Sequence, residues 1–273
     1  MGRIQEEVYA TEERVRRIVA APRDPIKIVP LHLPGGEATP VAELAETAAS
    51  APPRLVYNNG PLLTSVQVFT IFWGSKWQQQ PMLMQQINAF FDFVLTSPLI
   101  DQLSEYSTTL YTIGHGRRIG TTLLATPAPH VSVTDSTIRH LLQQEISTSS
   151  QFPKPTPNTL YFLYVQPGVR VIQGGSSSCQ AFCGYHDHIS GQIFYAVMPY
   201  PGCSGCTGNL ALLDALTSTS SHELCEAITD PVPGSGWYDE TNGEIGDICA
   251  WQTKPLGAYT VQLEWSNQRN ACI

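Results

Sequence analysis

Apolar positions first become dense at "SVQVFTIFWG" (65–74), a run rich in β-branched and aromatic residues and stopped by glycine, which predicts a strand. The next run, "MLMQQINAFFDFVLTS" (82–97), repeats its apolar residues at helical spacing and ends before Pro98. A second strand is predicted at 118–125. A helix follows at 134–147, with Thr134, Asp135 and Ser136 as capping candidates. The run at 159–167 is nearly all apolar, as in strands buried on both faces. A fourth strand is predicted at 192–200, a long helix over 208–229 capped at Asn209 and ended by Asp230-Pro231, and a late strand at 258–266. Strands alternating with helices predict a single α/β domain: a mixed sheet with flanking helices and some parallel pairing. Stretches 174–191 and 201–208 read as long cysteine-bearing loops that need stapling.

Ahead of this domain the pattern changes. Residues 4–19 predict a short charged helix. Residues 20–53 are rich in Pro, Gly, Ala and Glu with little periodicity, an extended arm whose open readings are tail, linker, propeptide and docking segment. The expected division is therefore an arm (1–53) and a folded domain (54–273). The charged start does not read as a signal peptide.

Composition narrows the function classes. Only 14% of the 273 residues are charged and the net charge is −8, which argues against nucleic acid or an anionic membrane surface as partner. No apolar run has the length of a membrane span. Of the seven cysteines, Cys179, Cys183, Cys203, Cys206, Cys249 and Cys272 lie outside the 208–229 helix and Cys225 lies within it. Six plus one predicts up to three disulfides and a buried thiol in an oxidising compartment. The spacings Cys-x3-Cys and Cys-x-x-Cys leave a structural zinc site as the rival.

The chemistry concentrates in "SSHELCEAITDP" (220–231). On a helix, His222 and Glu226 are i and i+4 and share a face, so both can reach one ion. Glu223 takes the place that, in zinc hydrolases of the His-Glu-x-x-His type, belongs to the carboxylate that accepts a proton from the attacking water. Glu226 stands where that pattern has its second histidine. A carboxylate oxygen is an acceptable zinc ligand, and its charge shifts preference toward harder ions, so Zn2+ is expected with Ca2+ or another divalent ion open. Asp230 is two turns from His222, too far to share one tetrahedral ion, and is assigned a helix-end or supporting role. The third ligand is expected from "NGEIGD", Glu244 or Asp247, with the lean toward Glu244. His186, in "GYHDHIS", is read as a turn residue that reaches metal or substrate or makes a structural hydrogen bond. Tyr238, in "GWYD", is a candidate substrate contact.

The motifs "NNGPLL", "VQVFTIFWG", "CQAFCGYH", "YPGCSGC", "SHELCEAITDP", "GWYD" and "GEIGDIC" occur here in the order seen in the phosphate-induced protein 1/EXORDIUM family, which the chain resembles from about Val56 to Cys272. The resemblance implies an extracellular or cell-wall-associated protein with the six cysteines above as its set and Cys225 as the extra. The helix also resembles that of zincin metallopeptidases, with Glu226 as the departure. Two functions follow as expectations. The first is a secreted zinc-dependent hydrolase, a metallopeptidase acting on a peptide or cell-wall polymer. The second is a non-catalytic extracellular binding protein with a structural ion.

Overall fold

The computed structural model describes residues 28–31 and 52–273. Its centre is a six-stranded mixed sheet. In chain order the strands are β1 (Ile28–Pro30), β2 (Gln67–Trp73), β3 (Arg117–Leu124), β4 (Thr159–Val165), β5 (Phe182–Ile189) and β6 (Ile193–Met198). Across the sheet the order is β1-β5-β6-β4-β2-β3. β6, β4, β2 and β3 run parallel to one another, while β5 pairs antiparallel with both β6 and β1. The parallel part needs helical crossovers, and helices α1 (Pro81–Val94) and α2 (Asp135–Thr148) supply them. α2 starts as expected: Thr134 accepts a hydrogen bond from the Thr137 N–H.

Period-two alternation sorts the sheet residues onto two faces. Val68, Phe72, Leu160, Phe162 and Tyr164 point to the face covered by α1 and by α3 (Leu212–Thr229). Phe69, Ile71, Trp73, Tyr161, Leu163 and Val165 point to the face covered by α2. β4 is buried at all seven positions, as its unbroken apolar sequence requires.

Four elements differ from the sequence expectation. The stretch read as a loop around His186 is β5, an eight-residue strand of the main sheet. Its buried positions mix Cys183, His186 and Asp187 with Phe182, Tyr185 and Ile189, so the alternation that marks a strand is absent from the sequence although nearly all of it is buried. Within the arm, Ile28–Pro30 forms the edge strand β1, with Val29 buried against Cys183 and Cys206. The 4–19 helix lies outside the described residues. α3 begins at Leu212, not near Asn209, and no side chain caps it. The late strand divides: Tyr259–Gln262 pairs with Thr253–Leu256 and Trp265–Ser266 with Ala271–Cys272, both outside the main sheet.

Three disulfides join Cys179 to Cys203, Cys183 to Cys206 and Cys249 to Cys272. Cys225 is a buried free thiol. The cysteines of the rival zinc reading are thus paired with one another. Three disulfides fit an oxidising setting. Among the described residues no helix is long and apolar enough to cross a membrane.

Candidate metal centre

α3 is buried on every side from Ala215 to Thr229. The sheet covers one side, the hairpin 253–262 and the loop 244–249 the other. A helix so enclosed cannot leave hydroxyls unsatisfied, and its Thr/Ser run bonds outward to each layer. Ser220 Oγ meets Tyr164 Oη of β4 at 2.7 Å. Thr217 donates to Thr260 O at 2.7 Å, and Ser221 Oγ accepts from Gln262 N–H at 2.9 Å. The helix ends at Asp230, whose carboxylate accepts the N–H groups of Gly234, Ser235 and Gly236 at 2.6, 3.1 and 2.6 Å. That turn redirects the chain toward Glu244 and Asp247.

Into this enclosure the fold brings two histidines and four carboxylates. His222, Glu223, Glu226 and Glu244 are 0% exposed and His186 1%. The Asp247 side chain is 7% exposed. His222 Nε2 is 2.9 Å from Glu226 Oε1 and 3.9 Å from Asp247 Oδ1. His186 Nδ1 is 3.2 Å from Glu223 Oε2 and 3.5 Å from Glu226 Oε2. His186 reaches the cluster because it lies opposite Ala196 in the β5–β6 ladder, on the face that α3 covers. Its Nε2 meets Asp230 O at 3.1 Å and Glu244 Oε1 at 3.4 Å.

Distance without hydrogen bonding is the telling feature. Neither ring nitrogen of His222, neither oxygen of Glu226 and neither oxygen of Glu244 has a hydrogen-bond partner, and nor has Glu223 Oε1. His222 Nε2 and Glu226 Oε1 are in contact yet not aligned with each other; they converge side by side, as donors to a common ion do. Two sets of three residues offer ligand atoms within 4.8 Å of one another: His222, Glu226 and Asp247, and His186, Glu223 and Glu226. One nitrogen and two carboxylate oxygens suit zinc and its first-row neighbours.

The electrostatics say the same. Burial pushes the Glu223 carboxyl up to about 7, although His186 pulls against it. Burial also drives Glu244 and Asp247 well above the usual carboxylate range. Glu226 moves the other way: burial raises it, but His222 and His186 outweigh that and hold it at about 2. Burial alone would lower both imidazoles, yet the facing carboxylates hold them well above the ordinary histidine value. Protons on the imidazoles are one way to hold buried carboxylates together; a cation is the other.

The placement of each candidate residue can now be compared with expectation. His222, Glu223 and Glu226 sit together on α3. Asp247, not Glu244, completes the set with His222 and Glu226; Glu244 faces His186 instead. The three-residue offset that made the two acids interchangeable in sequence is resolved by the turn Asp247–Cys249, which the Cys249–Cys272 disulfide fastens. Asp230 holds the helix-end turn with its carboxylate and His186 with its carbonyl. Tyr238 is held in a two-stranded ribbon, paired with Val56. His186, expected on a turn and open between metal or substrate contact and a structural hydrogen bond, sits on a strand and within the cluster. Sequence reading missed Glu264, 0% exposed, with both carboxylate oxygens unpartnered. An acid inside the apolar run "VQLEW" was the available signal.

The fold and site thus define an α/β protein with a buried histidine–carboxylate cluster fit for a divalent cation. No family model matches the chain, and no curated protein matches it either.

Proposed function

We propose that the protein is a divalent-cation-dependent hydrolase of the zinc type, secreted, and acting on a peptide or cell-wall polymer. The observation that carries this reading is the convergence of His222 Nε2, Glu226 Oε1 and Asp247 Oδ1 with Glu223 beside them. A divalent cation held by those three residues supplies Lewis acidity toward a carbonyl oxygen and a water. Glu223 then has the proton-accepting role. Its Oε2 is anchored by His186 at 3.2 Å, and its Oε1 has no partner and is available to take the proton. Burial raises the Glu223 carboxyl, the direction that makes it a stronger proton acceptor. The motif order shared with the EXORDIUM family and the three disulfides support the extracellular part of the reading.

Glu223→Gln keeps the shape and removes the base. The expected result is retention of the cation held by His222, Glu226 and Asp247, with hydrolysis of a quenched-fluorescence peptide library reduced by about 10²–10⁴-fold. A variant as active as the parent sinks the catalytic role of Glu223. A second reading, a non-catalytic extracellular binding protein with a structural ion, is favoured by one observation: every ligand candidate is almost fully buried, leaving no open face for a polymer in this conformation. It is recognised by bound cation with no hydrolysis in the parent protein.

A further inference from the structure

We propose that the cluster holds two divalent cations, not one, with the Glu226 carboxylate bridging them. The inference rests on the cation-binding part of the reading above and extends it to a second position. The two donor sets share Glu226 but use different oxygens of it. Oε1 faces His222 Nε2 at 2.9 Å, and Oε2 faces His186 Nδ1 at 3.5 Å. A carboxylate split in this way between two sets of ligands is the geometry of a bridge, and bridged pairs of ions lie about 3.5–4 Å apart.

The second position is defined by His186 Nδ1, Glu223 Oε2 and Glu226 Oε2. The tautomer of His186 is set by its other nitrogen. Nε2 lies 3.1 Å from the carbonyl oxygen of Asp230, and a carbonyl can only accept, so Nε2 carries a hydrogen and Nδ1 is the nitrogen that would give its lone pair to a cation, once the proton it shares with Glu223 Oε2 is released. Histidine ligands are held in this manner, with the far N–H donated to a carbonyl or carboxylate. The carbonyl is itself placed by the helix end, where the Asp230 carboxylate gathers three backbone N–H groups. Glu223 serves both positions without conflict. Its Oε2 turns toward His186, while Oε1 stays unpartnered.

Charge favours two ions over one. Glu223, Glu226, Glu244 and Asp247 carry four negative charges when ionised, and a ligating histidine is neutral. One divalent cation leaves the buried cluster with an uncompensated excess of two charges, which two cations cancel. An excess of that size in a dry interior is costly. Glu244, buried with both oxygens unpartnered and 3.4 Å from the His186 ring, is the remaining acid beside the second position.

Tag-free full-length protein, stripped with chelator and titrated with Zn2+ in a calorimeter, tests this directly. Two equivalents per chain are expected. His186→Asn and Asp247→Asn should each lose one equivalent and keep the other, and Glu226→Gln should weaken both by at least about tenfold. Near-UV circular dichroism checks that each variant is folded. Loading the parent protein with Mn2+ gives an independent readout needing no variant: a bridged pair shows an exchange-coupled paramagnetic resonance spectrum, an isolated ion does not. One equivalent in the parent, an uncoupled Mn2+ spectrum, or two equivalents retained in folded His186→Asn overturns the two-ion proposal. A single equivalent leaves the hydrolase reading standing. Two equivalents without hydrolysis support the pair and remove the hydrolase. No binding at all removes both.

Discussion

At the scale of single residues, the cluster depends on how closely backbone can approach it. Gly246 is the clearest case. A Cβ at that position would lie 2.7 Å from His222 Nδ1 and 2.9 Å from Glu226 Oε1, so the peptide rests directly on the imidazole and on the Glu226 carboxylate. Gly246→Ala is expected to displace both side chains. Overpacking of this kind costs about 1–3 kcal/mol. Here it should also lower Zn2+ affinity at the His222 position by more than tenfold, read by calorimetric titration alongside a thermal melt. A variant that binds as the parent does would show that Gly246 does not press on the ligands. His222 and Glu226 meet because residues four apart share a helix face. That part of the site was legible in the sequence, and so was the exclusion of Asp230 by its distance along the axis. His186 was legible as a candidate for metal or substrate contact, but its place on a sheet strand was not.

At the scale of elements, α3 and the loop 244–249 must be held in register for Asp247 to face His222. Gln262 does part of this, donating its backbone N–H to Ser221 Oγ at 2.9 Å and its Nε2 to Gly246 O at 2.8 Å. The Cys249–Cys272 disulfide does the rest by tying the end of the Asp247 turn to the C-terminal strand. Replacing both cysteines by serine is expected to cost about 3 kcal/mol, the usual cost for opening a loop of this size. Because the bridge lies beside Asp247 and far in the chain from β5, the same double variant should weaken the His222 position more than the His186 position. Equal weakening of both in a two-phase titration would argue against that division. The opposite pair of disulfides, Cys179–Cys203 and Cys183–Cys206, secures β5 and the edge where β1 adds on.

At the scale of the whole molecule, burying several acids and two histidines between a sheet and a hairpin is destabilising unless something offsets their charge. Bound cations would offset that charge and act as part of the fold. A ligand that binds only the native state stabilises it by about 4 kcal/mol when present at a thousand times its dissociation constant. For a domain of this size that corresponds to a rise in Tm of roughly 10 °C. Scanning calorimetry of chelated and Zn2+-refilled protein should show a shift of this order, reversed by renewed chelation. Identical melting with and without cation would mean that the cluster is held by protons on its histidines instead.

Much of the architecture follows from local pattern. The runs at 65–74, 82–97, 118–125, 134–147 and 159–167 each became the element their spacing predicts, because an aliphatic or aromatic stripe has one way to be buried in a strand and one in a helix. Helix geometry likewise links His222, Glu223 and Glu226 before any tertiary contact forms. What local pattern lacks is a signal for polar residues buried against one another. β5 reads as a loop because its buried positions mix cysteine, histidine and aspartate with apolar residues, and β1 reads as part of an arm because three residues carry no period. Glu244 and Asp247 are equivalent until a disulfide-bound turn aims one at His222 and the other at His186. Sequence alone therefore determined the layers and one helix face of the site. Only the tertiary structure decided that His186 and Asp247 complete it, since these contacts join segments tens of residues apart whose meeting is set by strand order and chain reversal rather than by spacing.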